Sequence, residues 1–344
     1  DDPRFNEYWQ LYHQIMQRKG VTPSAAKAIV RGRDTVIAAL MVRRGEADAM
    51  LCGIVGRYAR KLRYVREVLG LDDGSKGLSA LSAVLNDKGV FFFADTHVQV
   101  EPSAEQIADC VQQAAFRLRL FGVAPKVALV GHSNFGSSEA PSAQKLRDAL
   151  AILHEREPKL EVEGEMHADL AFNEELRERV FPNSRLKGRA NLLVFANIDA
   201  ANAAYNITRA MTDGVGLGPI LMGLSKSAHV LTPSATIRRI VNMTAVAAVD
   251  ALIRAERADC AWTSASSARR PRRRSAPRCW SSPTGWPPRS WKRWTRCSCR
   301  TSPARCWFPT TVPVTMRWTV ARPASPGTPA RIGCACARRR PTAA

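Results

Sequence analysis

The sequence GLGPILMGLSKSAHVLTPSATIRRIVNMTAVAAVD, residues 216–250, contains the strand, loop and helix pattern that decides the fold. The apolar run at 219–222 predicts a buried strand, and residues 226–234 predict a loop. Thr232-Pro233-Ser234 is a typical helix start, with Thr232 as N-cap and Pro233 in the first turn. The apolar spacing that follows predicts a helix over 234–254.

The same alternation of strand and helix extends toward the N-terminus. Further apolar runs predict strands at residues 49–52, 89–94, 126–130, 160–162 and 192–196. Amphipathic patterns predict helices at 23–44, 57–69, 104–120, 142–155, 173–180 and 200–211. Apolar strands that alternate with amphipathic helices favour an α/β fold with a mainly parallel sheet covered on both faces. In such sheets ligands lie beyond the carboxyl ends of the strands.

Two segments at predicted strand ends contain groups that bind phosphate. Residues 132–138, HSNFGSS, follow a strand and precede a helix, so their hydroxyls and backbone N–H groups are typical of a phosphate or diphosphate site. An ordinary turn with a Ser N-cap fits them as well. Arg238 and Arg239 lie one turn inside the last helix, where their guanidinium groups either face a phosphate or form a solvated basic face.

The remaining motifs predict neither a dinucleotide site nor a metal site. Residues 213–218 contain GxGxG, but they precede a strand instead of following one, so they predict a turn and not a dinucleotide site. None of the six histidines forms an HxH or HExxH arrangement. His97 and His132 are the pair expected at one sheet edge, but the spacing gives little support for a metal there, and we predict none.

The net charge of +21 is concentrated in the C-terminal region. Residues 261–344 hold 17 Arg, Lys292 and no acidic residue, whereas residues 1–260 hold 33 basic and 30 acidic residues. Seven of the eight Trp, six of the nine Cys and 12 of the 21 Pro also lie in this tail, without apolar periodicity. A basic nucleic-acid-binding tail, a cysteine-rich metal module and a region translated out of frame all fit this composition.

The metal module is disfavoured because the tail has no His and its CxC pairs lack zinc-type spacing. We favour the third interpretation, because shifted GC-rich codons produce Arg, Ala, Pro, Ser, Thr, Cys and Trp together, whereas basic nucleic-acid-binding tails are usually rich in Lys and poor in Trp and Cys. The sequence thus predicts a folded body at residues 1–255 and a disordered or frameshifted tail at 256–344, with no nucleic-acid partner. Cys52, Cys110 and Cys260 show no paired spacing, which indicates a cytoplasmic protein. No apolar run reaches the roughly 20 residues that span a bilayer, and no signal peptide is visible. The chain opens without Met, as a fragment would.

The body resembles the phosphate acetyltransferase and butyryltransferase family across nearly all of residues 1–255. The matching sequences, in order, are KGVT (19–22), GEADAMLCG (45–53), FADTHV (93–98), KVALVGHSNFGSS (126–138), GEMHADLA (164–171), GRANLLVFANIDAANAAYNI (188–207) and GPILMG (218–223). The resemblance implies a three-layer αβα fold with two subdomains, similar to isocitrate and isopropylmalate dehydrogenases.

More narrowly, the sequences DPRFNEYWQLYHQ, HSNFGSSEAPSAQKLR and VLTPSATIRRIVNMTA resemble the phosphotransacetylase-like C-terminal region of bacterial NADP-dependent malic enzymes. That resemblance implies a malate-oxidising half, with NADP and a divalent metal, that is absent from these 344 residues. It implies no cofactor in this chain, acetyl-CoA or an acyl phosphate as ligand, a malic enzyme catalytic domain as partner, and a homo-oligomer.

The resemblance also implies a loss of catalysis. Where active family members keep a catalytic Ser, Arg and Asp, this chain has Thr232, Pro233 and Arg239. A phosphate-binding Arg falls at Met16, and two hydroxyl residues fall at Arg57 and Tyr58. We therefore predict no catalytic residue in this chain. The expected ligand-binding residues are Arg63, Ser133, Asn134, Gly136, Ser137, Ser138, Lys226, Thr232, Ser234 and Arg239. The alternative is an active phosphate acetyltransferase that uses other residues.

Overall fold

The described part of this computed structural model comprises residues 4–268 and 335–337. The helices are α1 Phe5–Met16, α2 Pro23–Gly32, α3 Asp34–Arg43, α4 Tyr58–Leu69, α5 Ala104–Leu120, α6 Pro141–Arg156, α7 Ala168–Phe172, α8 Glu174–Val180, α9 Ile198–Met211 and α10 Ile237–Ala268. The strands are β1 Ala49–Cys52, β2 Ser79–Asn86, β3 Gly89–Ala94, β4 Lys126–Val130, β5 Glu161–Met166, β6 Leu192–Phe195, β7 Val215–Met222, β8 Ser227–Val230 and β9 Ala335–Ala337.

A six-stranded sheet of order β5-β4-β6-β3-β2-β7 forms the centre of the larger subdomain. Strands β5, β4, β6 and β3 pair in parallel, whereas β2 is antiparallel to both β3 and β7. The carboxyl ends of β4, β6 and β3 therefore share one edge, from which the candidate loops leave.

Alternating side chains along each strand pack against helices on both faces of this sheet. Phe92 and Ala94 belong to the core beneath α5, α6 and α10, whereas Phe91 and Phe93 belong to the core beneath α7 and α9. Since successive strand residues point to opposite faces, both faces need apolar residues. This double burial explains the near-continuous apolar strands of the sequence.

A smaller sheet of order β8-β1-β9 and helices α1–α4 form the second subdomain. Strands β1 and β8 are parallel, with Cys52 opposite Val230 at their carboxyl ends. Gly53 follows β1 with φ of 115°, and a Cβ there would lie 2.1 Å from the Leu231 carbonyl oxygen. Only glycine permits this approach, which positions the loop after β8 beside the end of β1.

The predicted α/β class, the mainly parallel sheet and the two subdomains are confirmed, as are the exact bounds of β1, β3, β4 and α5. The single helix predicted over 23–44 is wrong, because extended backbone at Arg33 separates α2 from α3. The loop predicted over 226–234 is also wrong, because four of its residues form β8. Residues predicted as a turn at 213–218 are mostly the start of β7.

Helices α1 and α7 and strand β2 were also not predicted from the sequence. Helix α1 buries Tyr8, Tyr12 and Met16 at a four-residue spacing that was a usable signal. Strand β2 consists largely of small residues, and its best signal is the two-residue hairpin turn Asp87-Lys88 between it and β3.

The described residues include no helix long and apolar enough to cross a membrane. Helix α10 continues past residue 254, where the prediction ended. Most of the tail at 256–344 lies outside the described residues, so its predicted character stays a prediction.

Candidate functional site

Thr232 and Pro233, two of the positions where this chain lacks the family's catalytic residues, lie in the loop between β8 and α10. The third, Arg239, lies in the first turn of α10. The Leu231 N–H donates to the Cys52 carbonyl at 2.6 Å, which anchors the loop at its start. The hydroxyls of Thr232 and Ser234 lie 3.0 Å apart. The helix begins later than predicted, since the hydroxyl of Thr236 accepts from the Arg239 N–H at 3.3 Å. Thr236, and not Thr232, therefore occupies the N-cap of α10.

Arg239 projects from the first turn of α10 into the protein and is only 6% exposed. A Cβ on Gly216 of β7 would lie 2.9 Å from Arg239 Nη2, so the glycine makes room for the guanidinium. Within the described residues no carboxylate pairs with Arg239, whereas its neighbour Arg238 is exposed. A desolvated guanidinium without a carboxylate partner is a strong attractor for an anionic ligand.

Asp95, at the end of β3, organises the adjacent loop. Its Oδ1 accepts from the backbone N–H groups of Ala80, His97 and Val98, and its Oδ2 accepts from Gln99. Burial raises the pKa of Asp95 to about 6 against the opposing effect of these four hydrogen bonds. Asp95 lies in FADTHV, one of the sequences that resemble the family, but it was not among the predicted site residues.

His97 lies in the same loop, with its ring 5.4 Å from that of Tyr58, the first residue of α4. Its Nδ1 lies 2.8 Å from the Thr96 hydroxyl. Burial, helped by the positive charge of Arg239, lowers the pKa of His97 to about 4. The imidazole is therefore neutral near pH 7, and it is a weak base.

We expect the His97 ring to titrate near pH 4 and this midpoint to rise in Arg239→Gln, because a nearby positive charge is removed. NMR titration of the imidazole measures both values, and Arg238→Gln is the control that removes an exposed charge. The neutral ring is favoured in the folded state, so its contribution to stability is present above pH 6.5 and is lost as the pH falls toward 4. An unchanged midpoint in Arg239→Gln would contradict this placement of the guanidinium.

The loop at 132–138 is held by Glu165 of β5, which is fully buried. Glu165 Oε1 accepts from the Ser133 hydroxyl at 2.9 Å, the Gly136 N–H at 3.0 Å and Arg147 Nη1 at 3.0 Å. Two of the predicted phosphate donors are thus already engaged within the protein. The glutamate, in the sequence GEMHADLA, was missed because it is distant from the loop along the chain.

A second set of hydrogen bonds shapes the outer part of this loop. Asn134 Oδ1 accepts from the His167 N–H at 2.7 Å, and the Asn134 N–H donates to the Ser137 hydroxyl at 3.0 Å. The Ser138 hydroxyl lies 3.2 Å from His132 Nε2. Among the predicted residues here, Gly136 and Ser137 are exposed.

The structure separates several residues that the sequence grouped. Lys226 precedes β8 and Thr232 follows it, so this four-residue strand, about 13 Å long at roughly 3.3 Å per residue, lies between them. Lys226 lines a cavity of about 370 Å³ beside Arg254 instead. Arg63 lies on α4, where its side chain is 63% exposed and pairs with Glu67 at 3.6 Å. Met16 is 5% exposed and packs in the core.

The two histidines considered for a metal lie in different loops. His97 follows β3 and His132 follows β4, and β6 lies between these strands. No group of three or more His, Cys, Asp or Glu side chains is arranged for a metal ion in the described part of the chain. Equally, no hydrogen bond or ion pair in that part joins the 132–138 loop to Thr232, Ser234 or Arg239.

Comparison with known proteins identifies the family. A family model described as phosphate acetyl/butaryl transferase matches residues 1–248. The NAD-dependent malic enzyme of Rhizobium meliloti (strain 1021) is 51% identical over 249 residues, which cover 72% of this chain and 32% of that enzyme. The NADP-dependent malic enzyme of Escherichia coli (strain K12) is 50% identical over 251 residues, covering 73% of this chain and 33% of that enzyme.

The chain thus spans about a third of the length of these malic enzymes. The crystal structure of a phosphotransacetylase from Streptococcus pyogenes superposes with a TM-score of 0.69 and 26% identity, over 73% of this chain and 77% of that one. The predicted resemblance to both groups is confirmed. The family model that matches residues 1–248, together with the similar fold of the phosphotransacetylase, shows that this chain belongs to the phosphate acetyl/butaryl transferase family.

Proposed function

We propose that this chain is an acetyl-CoA-binding regulatory domain of a malic enzyme and that it does not turn over acyl phosphates. The observation that carries the proposal is Arg239. An active transacetylase needs a base for the thiol of coenzyme A, and the family resemblance places that base at this position. A guanidinium is protonated at all physiological pH values and cannot act as a base.

Neighbouring groups offer no substitute base. His97, with a pKa near 4, has little affinity for the thiol proton at neutral pH. Asp95 has a pKa of about 6, which suits a base and supports the alternative of an active acyltransferase. Its two oxygens, however, already accept four backbone N–H groups and lie in a residue that is 7% exposed. Asp95 is better suited to hold its loop.

Binding is favoured by the same change that removes catalysis. Acetyl-CoA carries phosphate and diphosphate groups, and the buried positive charge of Arg239 suits them. Ser137, Ser138, Thr232 and Ser234 lie in loops that follow strands, which is where ligands bind in such sheets. The likeness to malic enzymes supports a malate-oxidising domain as partner, with NADP and a divalent metal bound there, and a homo-oligomeric, cytoplasmic assembly.

Regulation further requires that acetyl-CoA bind two states of that assembly with different affinities. The position of the site supports such coupling. The loop that carries Thr232 is anchored to the end of β1 in the small subdomain, whereas Arg239 packs against β7 of the large sheet. A ligand that contacts both would bias the relative positions of the two subdomains.

The test is direct measurement of binding and turnover on the full chain. We expect calorimetry to detect acetyl-CoA binding, and we expect acetyl-CoA formation from acetyl phosphate and coenzyme A at least about 10²-fold below ordinary enzyme rates of roughly 1–10³ s⁻¹. In a malic enzyme that contains this domain, acetyl-CoA should change the rate of malate oxidation. Turnover at ordinary rates, or no binding of acetyl-CoA, would overturn the proposal.

A further inference from the structure

Three side chains converge on Gly216 of β7. A Cβ built on this glycine would lie 2.7 Å from the Tyr205 hydroxyl oxygen, 2.9 Å from Arg239 Nη2 and 3.0 Å from Arg209 Cδ. Tyr205 and Arg209 lie one turn apart on α9, and the Arg209 guanidinium stacks 5.9 Å from the Tyr205 ring centre. Arg239 reaches the same point from the first turn of α10.

These polar groups have unused hydrogen-bonding capacity. Tyr205 is 3% exposed, yet its hydroxyl has no hydrogen-bond partner among the residues that the structure describes. Arg239 is 6% exposed, and within the part of the chain that the structure describes neither guanidinium pairs with a carboxylate. Native proteins rarely leave buried donors unpaired, because such groups lose their hydration without compensation. The buried Tyr205 hydroxyl therefore suits an oxygen acceptor, and the guanidinium groups of Arg239 and the partly exposed Arg209 beside it favour an acceptor that is anionic.

The electrostatic surroundings favour the same conclusion. The N-terminus of α10 adds a partial positive charge beside Arg239. Asp95, the acidic residue of the neighbouring loop, accepts hydrogen bonds from four backbone N–H groups and forms no ion pair with Arg239. Anions of tetrahedral shape accept hydrogen bonds from several directions at once, which matches donors that approach from two helices.

We propose that Tyr205, Arg209 and Arg239 form a binding site for a phosphate group. The Tyr205 hydroxyl and the two guanidinium groups donate to its oxygens, and Gly216 lies beneath it because any side chain there would collide with all three. The identification of acetyl-CoA as the molecule that carries this phosphate rests on the proposed function. The site itself rests only on the contacts around Gly216, and a free phosphate or an acyl phosphate has the same chemistry.

The test uses the full chain and isothermal titration calorimetry, with inorganic phosphate and acetyl-CoA as separate probes. Tyr205→Phe removes only the unpaired hydroxyl, so it should leave the fold intact by circular dichroism. We expect it to weaken phosphate binding about 10-fold or more, since hydrogen bonds to charged groups are strong. Arg239→Gln should weaken binding at least as much. The matched control is Arg238→Gln, an exposed neighbour, which should change affinity less than about twofold.

The control also accounts for phosphate bound by the arginine-rich tail, which is the same in every variant. Phosphate binding that Tyr205→Phe and Arg239→Gln leave unchanged overturns the site. If acetyl-CoA binds but neither variant weakens it and phosphate does not compete, the proposed function stands and this inference fails. If phosphate binding depends on both residues while acetyl-CoA does not bind, the inference stands and the proposed function fails.

Discussion

Replacement of Asp250 with Asn is expected to lower the free energy of unfolding by about 3–5 kcal/mol, because it leaves a buried guanidinium without its counter-charge. Asp250 Oδ1 accepts from Arg117 Nη1 at 2.6 Å, and both side chains are about 5% exposed. Arg254 approaches the other carboxylate oxygen at 3.3 Å. This ion pair joins α10 to α5 beneath the large sheet.

Urea denaturation followed by circular dichroism measures the loss. Glu178→Gln is the matched control, since its pair with Lys187 is about half exposed and contributes at most about 1 kcal/mol. The paired change Arg117→Met with Asp250→Leu should lose less than Asp250→Asn, because it leaves no unpaired charge. Equal losses for Asp250→Asn and Glu178→Gln would contradict the expectation.

The same pair predicts an acid limit to stability. Burial opposes the ionisation of Asp250, yet the charges of Arg117 and Arg254 outweigh it and lower its pKa to about 2. The carboxylate therefore stabilises the folded state above its ordinary pKa of 3.8, and this contribution is lost as the pH falls toward 2. Asp250→Asn should flatten the fall in stability over that interval.

Replacement of Arg177 with Met is expected to cost about 2–4 kcal/mol, because it leaves buried carbonyl groups without donors. Arg177 of α8 is 0% exposed and donates to the carbonyl oxygens of Leu170 at 2.8 Å, Leu186 at 3.0 Å and Gly188 at 2.7 Å. Desolvation lowers its pKa, which shows the cost of burying the guanidinium. Methionine fills a similar volume, so the lost hydrogen bonds dominate the effect.

The control for this substitution is Arg179→Met, which lies on the same short helix and is exposed. Urea denaturation should show a change of no more than about 0.5 kcal/mol for that variant. In Arg177→Met we expect the backbone amides from Leu170 to Gly188 to exchange hydrogen faster, because the side chain that binds three carbonyl groups of this segment is removed. A loss no larger than that of the control would show that the three hydrogen bonds contribute little.

Some elements of the fold could be predicted from the sequence and others could not. Strand β4 and the Phe91–Ala94 part of β3 are buried on both faces, so their apolar runs coincide with the strands and their bounds were predicted exactly. Strand β2 was not predicted, because its sequence SALSAVLN mixes Ser and Ala with Leu and Val and shows neither an apolar run nor alternation. The break at Arg33 was missed because apolar spacing continues across it, although Gly32 ends α2 and Asp34 begins α3, which are local signals of a helix end and a helix start.

By itself, the sequence determined the α/β class, the family resemblance and the absence of a carboxylate at position 239, since these depend on residue types and their order. Tertiary structure alone decided which side chains meet. It brought Tyr205, Gly216 and Arg239 together from three separate elements, placed Lys226 at the other end of β8 from Thr232, and engaged Ser133 with Glu165. Such contacts depend on how helices and strands that are distant in sequence pack together, so local sequence patterns do not predict them.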